Sequence, residues 1–155
     1  GVLFRGNEEG RIREKLVKSD LVEAIVTLGD KLFYGTGLSP CFMILRRLKP
    51  ATHSARVLMI DGTKILTAKR AQNILSPEDV DRLYELYCKY EDIEDFSKVV
   101  TIDDIAAKGY DLSPNKYVNY HKEEIRPYAE VLAEFKAAYE EVLKREAEFE
   151  KLINA

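Results

Sequence analysis

Apolar positions along the chain follow two patterns. In the first half they run together in short blocks: LVEAIVTL (residues 21–28), CFMILRRL (41–48) and RVLMIDG (56–62). The first is β-branched and mostly apolar, the second follows a glycine turn, and the third ends on an Asp-Gly turn signal. Blocks of this kind predict buried strands, because a strand covered on both faces loses its polar alternation. Elsewhere the spacing is helical. Asn7 is placed to cap a helix with Ile12, Leu16 and Val17 on one side and Arg11, Arg13 and Lys15 on its charged face. In SPEDVDRLYELYCKY, Ser76 caps, Pro77 takes the first helical position and Asp79 stands as the capping-box acid. Val80, Leu83, Tyr84 and Tyr87 then give one apolar face. TIDDIAAKG repeats the device with Thr101 and Asp104, and Gly109 stops it.

The strongest helix runs from Pro127 to Ile153, roughly 40 Å at ~1.5 Å per residue. Tyr128, Val131, Phe135, Ala138, Val142, Phe149 and Leu152 form a heptad-like stripe, interrupted once by Arg145. Leu132, Tyr139, Leu143 and Ile153 widen it to one side. Such a helix is not stable alone in water, so it must pack on its own domain, on a second copy or on a partner's helices. The broad seam favours a bundle.

Three strands separated by a helix or loops predict the end of an α/β sheet covered on both sides, with a helical extension after it. GVLF at the start reads as the tail of a strand, and residues 64–75 as a basic loop with a short helical piece. The expected organisation is an α/β part over 1–75, a helical connector over 76–122 and a long C-terminal helix over 123–155.

Composition narrows the classes. The 155 residues suit one domain, and with 46% apolar and 33% charged residues the chain can build a core without being low-complexity. No apolar run approaches the ~20 residues of a membrane helix, and no secretory leader is evident, so a cytoplasmic protein without membrane partners is expected. Cys41 and Cys88 sit in apolar patterns and read as buried thiols of a reducing compartment. Neither they nor His53 and His121 have the spacing of a metal site. Charge is asymmetric: residues 1–75 carry +6 and residues 76–155 carry −9. A basic front half suits phosphate, although uneven surface decoration explains it equally well.

Chemistry concentrates in LFYGTGLSPCFMILRR (32–47). A phosphate loop needs glycines after a strand and before a helix; here a strand follows, and no Gly-Lys-Ser/Thr appears. Gly35, Gly37 and Pro40 make a turn. Phe33 and Tyr34 beside it either fill the core or form a flat wall for a planar ligand. Arg46, Arg47 and Lys49 emerge at the end of a strand and, with Lys64, Lys69 and Arg70, are candidates for one phosphate-contacting basic surface. Glu8-Glu9, Asp103-Asp104 and Glu123-Glu124 lie near helix starts, where they favour the dipole. No Ser/His/Asp set is suggested.

The ordered stretches GVLFRGNEEGRIREKLVKSDLVEAIVTL, LFYGTGLSPCFMILRR, KRAQNILSPEDV and YDLSPNKYV resemble the C-terminal part of the modification subunit of type I restriction–modification systems, over Gly1 to about Val118. The final helix is similar only in kind. Gly29 departs from a usual proline, and Asp111 and Lys116 from usual Asn and Arg. The resemblance implies a Rossmann-like methyltransferase sheet, of which this chain holds about three strands, and transfer of a methyl group from S-adenosylmethionine to adenine N6 in DNA. The family's glycine-bearing cofactor loop and its Asn-Pro-Pro-aromatic catalytic motif are not in these residues, so no catalytic residue is assigned. The chain is expected to be a fragment that neither binds the donor productively nor methylates alone. In this class the target adenine is flipped out and stacks on aromatics; Phe33, then Tyr34, best match that position. The family also implies DNA, a specificity subunit and a restriction subunit as partners. Tyr128, Val131, Phe135, Val142, Phe149 and Leu152 would pack on helices of the specificity subunit, or on a second copy. The competing reading is a stand-alone α/β protein-binding module presenting its C-terminal helix.

Overall fold

The computed structural model describes residues 1–121 and 127–153, with side chains in the last helix described as far as Glu146 and at Phe149. The chain divides into two units, Gly1–His121 and Lys122–Ala155.

The first unit is a four-stranded mixed sheet between helices. Its elements are α1 (Asn7–Lys18), β1 (Val22–Leu28), β2 (Cys41–Leu45), β3 (Arg56–Gly62), α2 (Pro77–Lys89), β4 (Ser97–Thr101) and α3 (Ile102–Ala107). The strand order is β2-β1-β3-β4. Only β1 and β3 are parallel; β2 and β4 pair antiparallel on the two flanks. Neither central strand presents a solvated face. Ile25, Val57 and Met59 pack with Val17 of α1, Ile105 of α3, Leu3 and Leu112. Ala24, Val26, Leu28, Leu58 and Ile60 pack with Leu86 of α2 and Ile65. A register shift between Val22 and Ala24 breaks the alternation of β1 and puts Val22 in the same cluster as Ile25.

Several local expectations change. The three predicted strands are joined by a fourth, β4, inside the segment read as a helical connector. Residues 2–4 form a turn rather than a strand tail, closed by Phe4 and Arg5 N–H groups on the Gly1 carbonyl. Gly6, not Asn7, occupies the N-cap of α1. That helix buries Arg13 and leaves Ile12 exposed. The Arg13 guanidinium is held by two carbonyls, Tyr110 at 2.6 Å and Val2 at 2.9 Å, so burial satisfies its donors. Helix α2 has both arms of its capping box, Ser76 with Asp79, but it is rotated. Leu83, Leu86 and Tyr87 face the core, while Val80 and Tyr84 face solvent. Cys88 is therefore exposed and Cys41 half-buried, both as free thiols. The Thr101–Asp104 box is present, and Gly109 takes positive φ (+64°) after α3. Asp111 accepts from the Ser113 N–H at 2.8 Å and is ion-paired with Lys116, which gives the two family departures a joint role in one turn.

Gly62 ends β3 in a tight place: a Cβ there would lie 2.8 Å from the Thr27 carbonyl and 2.7 Å from Leu83. The backbone oxygen cannot step aside, so the strand end admits no side chain.

The second unit contains α4 (Tyr128–Ile153), 26 residues long. Tyr128, Val131, Phe135, Tyr139, Val142, Leu143 and Phe149 are exposed along it. The Phe135 and Tyr139 rings lie parallel at 6.3 Å, and Arg145 pairs with Glu141. The side chain of Leu152 lies outside the described residues. No helix among the described residues is long and apolar enough to cross a membrane.

Candidate functional site

Because β1 and β3 are parallel, Leu28 and Gly62 end side by side. In α/β sheets ligands bind in the crevice outside the carboxyl ends of parallel strands. The connections that leave these two ends, residues 29–40 and 63–75, meet there. Leu28 N–H donates to the Pro40 carbonyl at 2.9 Å and closes the first loop at its base. Its path turns through Lys31 at φ +52° and Gly35 at φ +74°. The second loop is drawn tight by a bridge between Thr67 and Ile74. Its root is fixed by Asp61, which accepts from the Thr63 N–H (3.0 Å) and hydroxyl (2.6 Å).

Four hydrogen bonds join the loops. Gln72 Nε2 donates to the Leu32 carbonyl at 2.9 Å. Asn73 Nδ2 donates to the Asp30 carbonyl at 3.1 Å and to its carboxylate at 3.2 Å. The Asn73 backbone N–H donates to the Lys31 carbonyl at 3.0 Å. Between the loops lies an open cavity of about 460 Å³, with Phe33, Tyr34, Thr36, Ala71 and Gln72 in its wall. Its volume falls within the range of small-molecule sites.

Phe33 and Tyr34 are not core residues: their relative exposures are 60% and 95%. Their exposure excludes the core-filling reading. Leu32 instead turns inward to the α2-side core. Lys69 and Arg70 are exposed at the tip of the second loop, and neither forms an ion pair among the described residues. They stand at the same end of the sheet as the aromatics.

Arg46 and Lys49 do not, so the single basic surface is not formed. The Arg46 N–H donates to the Leu21 carbonyl, at the amino end of β1 and the far side of the sheet from Phe33. Its guanidinium is 2.7 Å from the Glu23 carboxylate. The Lys49 ammonium, on a side chain only 3% exposed, donates to Asp20 at 2.6 Å and to the Arg56 carbonyl at 2.8 Å. Both cations neutralise internal acids, which leaves Lys49 unable to reach a phosphate. Arg47 is exposed at that same remote end.

Both carboxylates near the strand ends accept hydrogen bonds from the chain, Asp61 on both of its oxygens. Burial alone would raise the Asp61 carboxyl, but hydrogen bonds from Thr63, Tyr120 and Thr27 outweigh it and hold it below the ordinary range. Asp30 accepts from Asn73. No group of three or more His, Cys, Asp or Glu among the described residues is arranged to hold a metal ion.

Sequence reasoning did not single out Gln72, Asn73 or Asp61 for roles at this site. For Asp61 a signal existed, since an acid at the end of an apolar block requires local donors. Gln72 and Asn73 gave none, because they bond mostly main-chain carbonyls some 40 positions away.

Known proteins resemble this architecture. The chain is 37% identical over 121 residues to the type I restriction enzyme MjaVII methylase subunit of Methanocaldococcus jannaschii, covering 76% of this chain and 21% of that protein. It is 36% identical to the MjaIX methylase subunit of the same organism, over 99% of this chain and 29% of the relative. The crystal structure of the type I restriction-modification system methyltransferase subunit from Streptococcus thermophilus superposes with a TM-score of 0.71 at 28% identity, over 77% of this chain and 25% of that one. The chain thus spans between about a fifth and a third of the length of these relatives. The family model described as N-6 DNA Methylase matches residues 1–125, which takes in every strand and the whole cavity, and the chain belongs to that family.

Proposed function

We propose that this chain serves in the modification subunit of a type I restriction–modification enzyme, which transfers a methyl group from S-adenosylmethionine to adenine N6 in DNA. The observation that carries the reading is the placement of Phe33 and Tyr34. Two aromatics face solvent from a pinned loop, at the sheet end where α/β proteins bind ligands, beside two exposed cations. An aromatic held this way can stack a base only after the base has left the duplex. Lys69 and Arg70 are then the phosphate contacts, which position the strand without reading its sequence. Arg47 is left as a remote contact, outside this cluster.

These residues do not fit the methyl donor itself. Its ribose hydroxyls need a free carboxylate at a strand end, and Asp61, the buried acid that ends β3, already accepts from Thr63, Thr27 and Tyr120. The glycine loop leads into β2 rather than a helix, so its N–H groups do not converge on an anion. Donor binding and capture of the adenine amino group are accordingly assigned to residues other than these.

The test is Phe33→Ala, read with a single-stranded oligonucleotide carrying one 2-aminopurine. Stacking is worth ~1–3 kcal/mol per base, so binding should weaken roughly 5- to 150-fold and the fluorescence quench should be lost. Unchanged affinity and quench for both Phe33→Ala and Tyr34→Ala would overturn the base-stacking role.

The same reading assigns the exposed stripe of α4, including Tyr128, Val131, Phe135, Val142 and Phe149, to packing on helices of the specificity subunit. A Phe135→Asp, Phe149→Asp pair places two charges in that seam and should abolish co-purification with the specificity subunit. Assembly that survives the double change excludes this interface.

A further inference from the structure

We propose that Gln72 and Asn73 are positioning residues, which hold the Phe33–Tyr34 turn in the shape that accepts a base; the proposal rests on the base-stacking reading above.

Four observations support it. The turn contains Lys31 at φ +52°, a conformation that a side chain with a Cβ disfavours and that persists only when its surroundings impose it. The second loop supplies that restraint: the Asn73 N–H binds the carbonyl of Lys31 itself, and the two side-chain amides bind the carbonyls on either side, Asp30 and Leu32. Three consecutive carbonyls are therefore fixed immediately before Phe33. Further, the two aromatics are exposed, so core packing does not orient them. Gln72 also lines the cavity, which places the clamp within reach of whatever occupies it. Because the clamp joins connections from β1 and β3, it ties the aromatic wall to the loop bearing Lys69 and Arg70. Stacking and phosphate contact are then set in one fixed relation.

The isosteric changes Gln72→Glu and Asn73→Asp test this. Each keeps volume but replaces an N–H donor with an oxygen, and Asn73→Asp also sets a second carboxylate against Asp30. Backbone amide relaxation and hydrogen exchange of residues 30–35 should show a loosened turn, with the exchange of β1 and β3 unchanged. Affinity for the 2-aminopurine oligonucleotide should fall roughly threefold to tenfold, the loss expected for about one or two hydrogen bonds. The exchange Asp30→Asn with Asn73→Asp restores an amide–carboxylate pair and should recover part of both. A turn that stays ordered in both isosteric variants overturns the clamp. So does a loosened turn with unaltered quench, provided Phe33→Ala abolishes that quench. If Phe33→Ala and Tyr34→Ala are both silent, the base-stacking reading fails instead, and turn order alone still decides whether the clamp exists.

Discussion

Replacing Glu23 with alanine should lower the stability of the chain by about 2–4 kcal/mol, a larger effect than any single surface change. The carboxylate is the only charge in the central block of β1, and its side chain is 2% exposed. Arg46 donates to it at 2.7 Å, the Tyr87 hydroxyl donates at 3.0 Å, and His53 Nδ1 lies at 3.1 Å with its ring stacked on Tyr90. Removing one partner of a buried ion pair typically costs about 3–5 kcal/mol. The figure is reduced here because Arg46 is about half exposed and can turn to water. Tyr87 and His53 are less exposed and lose a partner with less recourse. For a domain of this size the melting temperature should fall by roughly 5–15 °C. The pH dependence gives a second check. Burial alone would raise the Glu23 carboxyl, but hydrogen bonds from His53, Tyr87 and Arg46 prevail and depress it below 4.5. A depressed folded-state value means stability that is present above the unfolded value and lost as pH falls through the folded one. The gap between wild type and Glu23→Ala in urea melts should therefore be full at pH 7 and narrow below about pH 4. An unchanged gap at low pH would show that packing, not charge, sets the loss.

The parts legible in the sequence are those whose causes are local. The 56–62 block coincides with β3, and the 21–28 block with β1 apart from Leu21, because burial on both faces demands a near-continuous apolar run. The capping boxes at Ser76 and Thr101 are defined within four residues. Strand β4 was not legible. SKVVT is short, carries Lys98, and becomes a strand only by pairing with β3, about forty positions earlier. The rotation of α2 has a similar origin, since Leu86 and Leu83 are selected by the shape of the sheet they meet. At the site, the turn chemistry pointed to Phe33 and Tyr34, but their exposure depends on how the two loops lean together. Basic residues were the hardest to sort. Lys49 and Lys69 are equivalent as letters, yet one is buried against Asp20 and the other is exposed at a loop tip with no ion pair among the described residues.

Asp61→Ala should cost about 1–3 kcal/mol and, unlike the change at Glu23, should do its damage at the end of the sheet that carries Phe33 and Tyr34. The carboxylate accepts from the Thr63 N–H and hydroxyl, from the Thr27 hydroxyl at 3.3 Å and from the Tyr120 hydroxyl. An alanine removes these bonds together, each worth a net ~0.5–1.5 kcal/mol and more for a charged acceptor. The Thr27 hydroxyl keeps an alternative in the Ile60 carbonyl, and Tyr120 and Thr63 are exposed enough to turn to water, so what is lost is chiefly the anchor at Thr63. Thr63 is the first residue of the loop that carries Lys69, Arg70, Gln72 and Asn73. Freeing it should raise hydrogen exchange in residues 63–73 before it raises exchange in β1 or β3, and should weaken 2-aminopurine binding while leaving Phe33 and Tyr34 in place. Asp61→Asn separates anchoring from charge. Its remaining oxygen can still receive the Thr63 N–H, while its amide faces the Tyr120 hydroxyl, which can turn to accept. The amide variant should therefore lose only about half as much as alanine. A cycle with Tyr120→Phe should show coupling of about 0.5–3 kcal/mol at pH 7. Because the Asp61 carboxyl is depressed in the folded chain, the coupling should fade as acid protonates it. Coupling that is absent at pH 7 would mean that Tyr120 merely covers the strand end, and that the loop root is held by Thr63 alone.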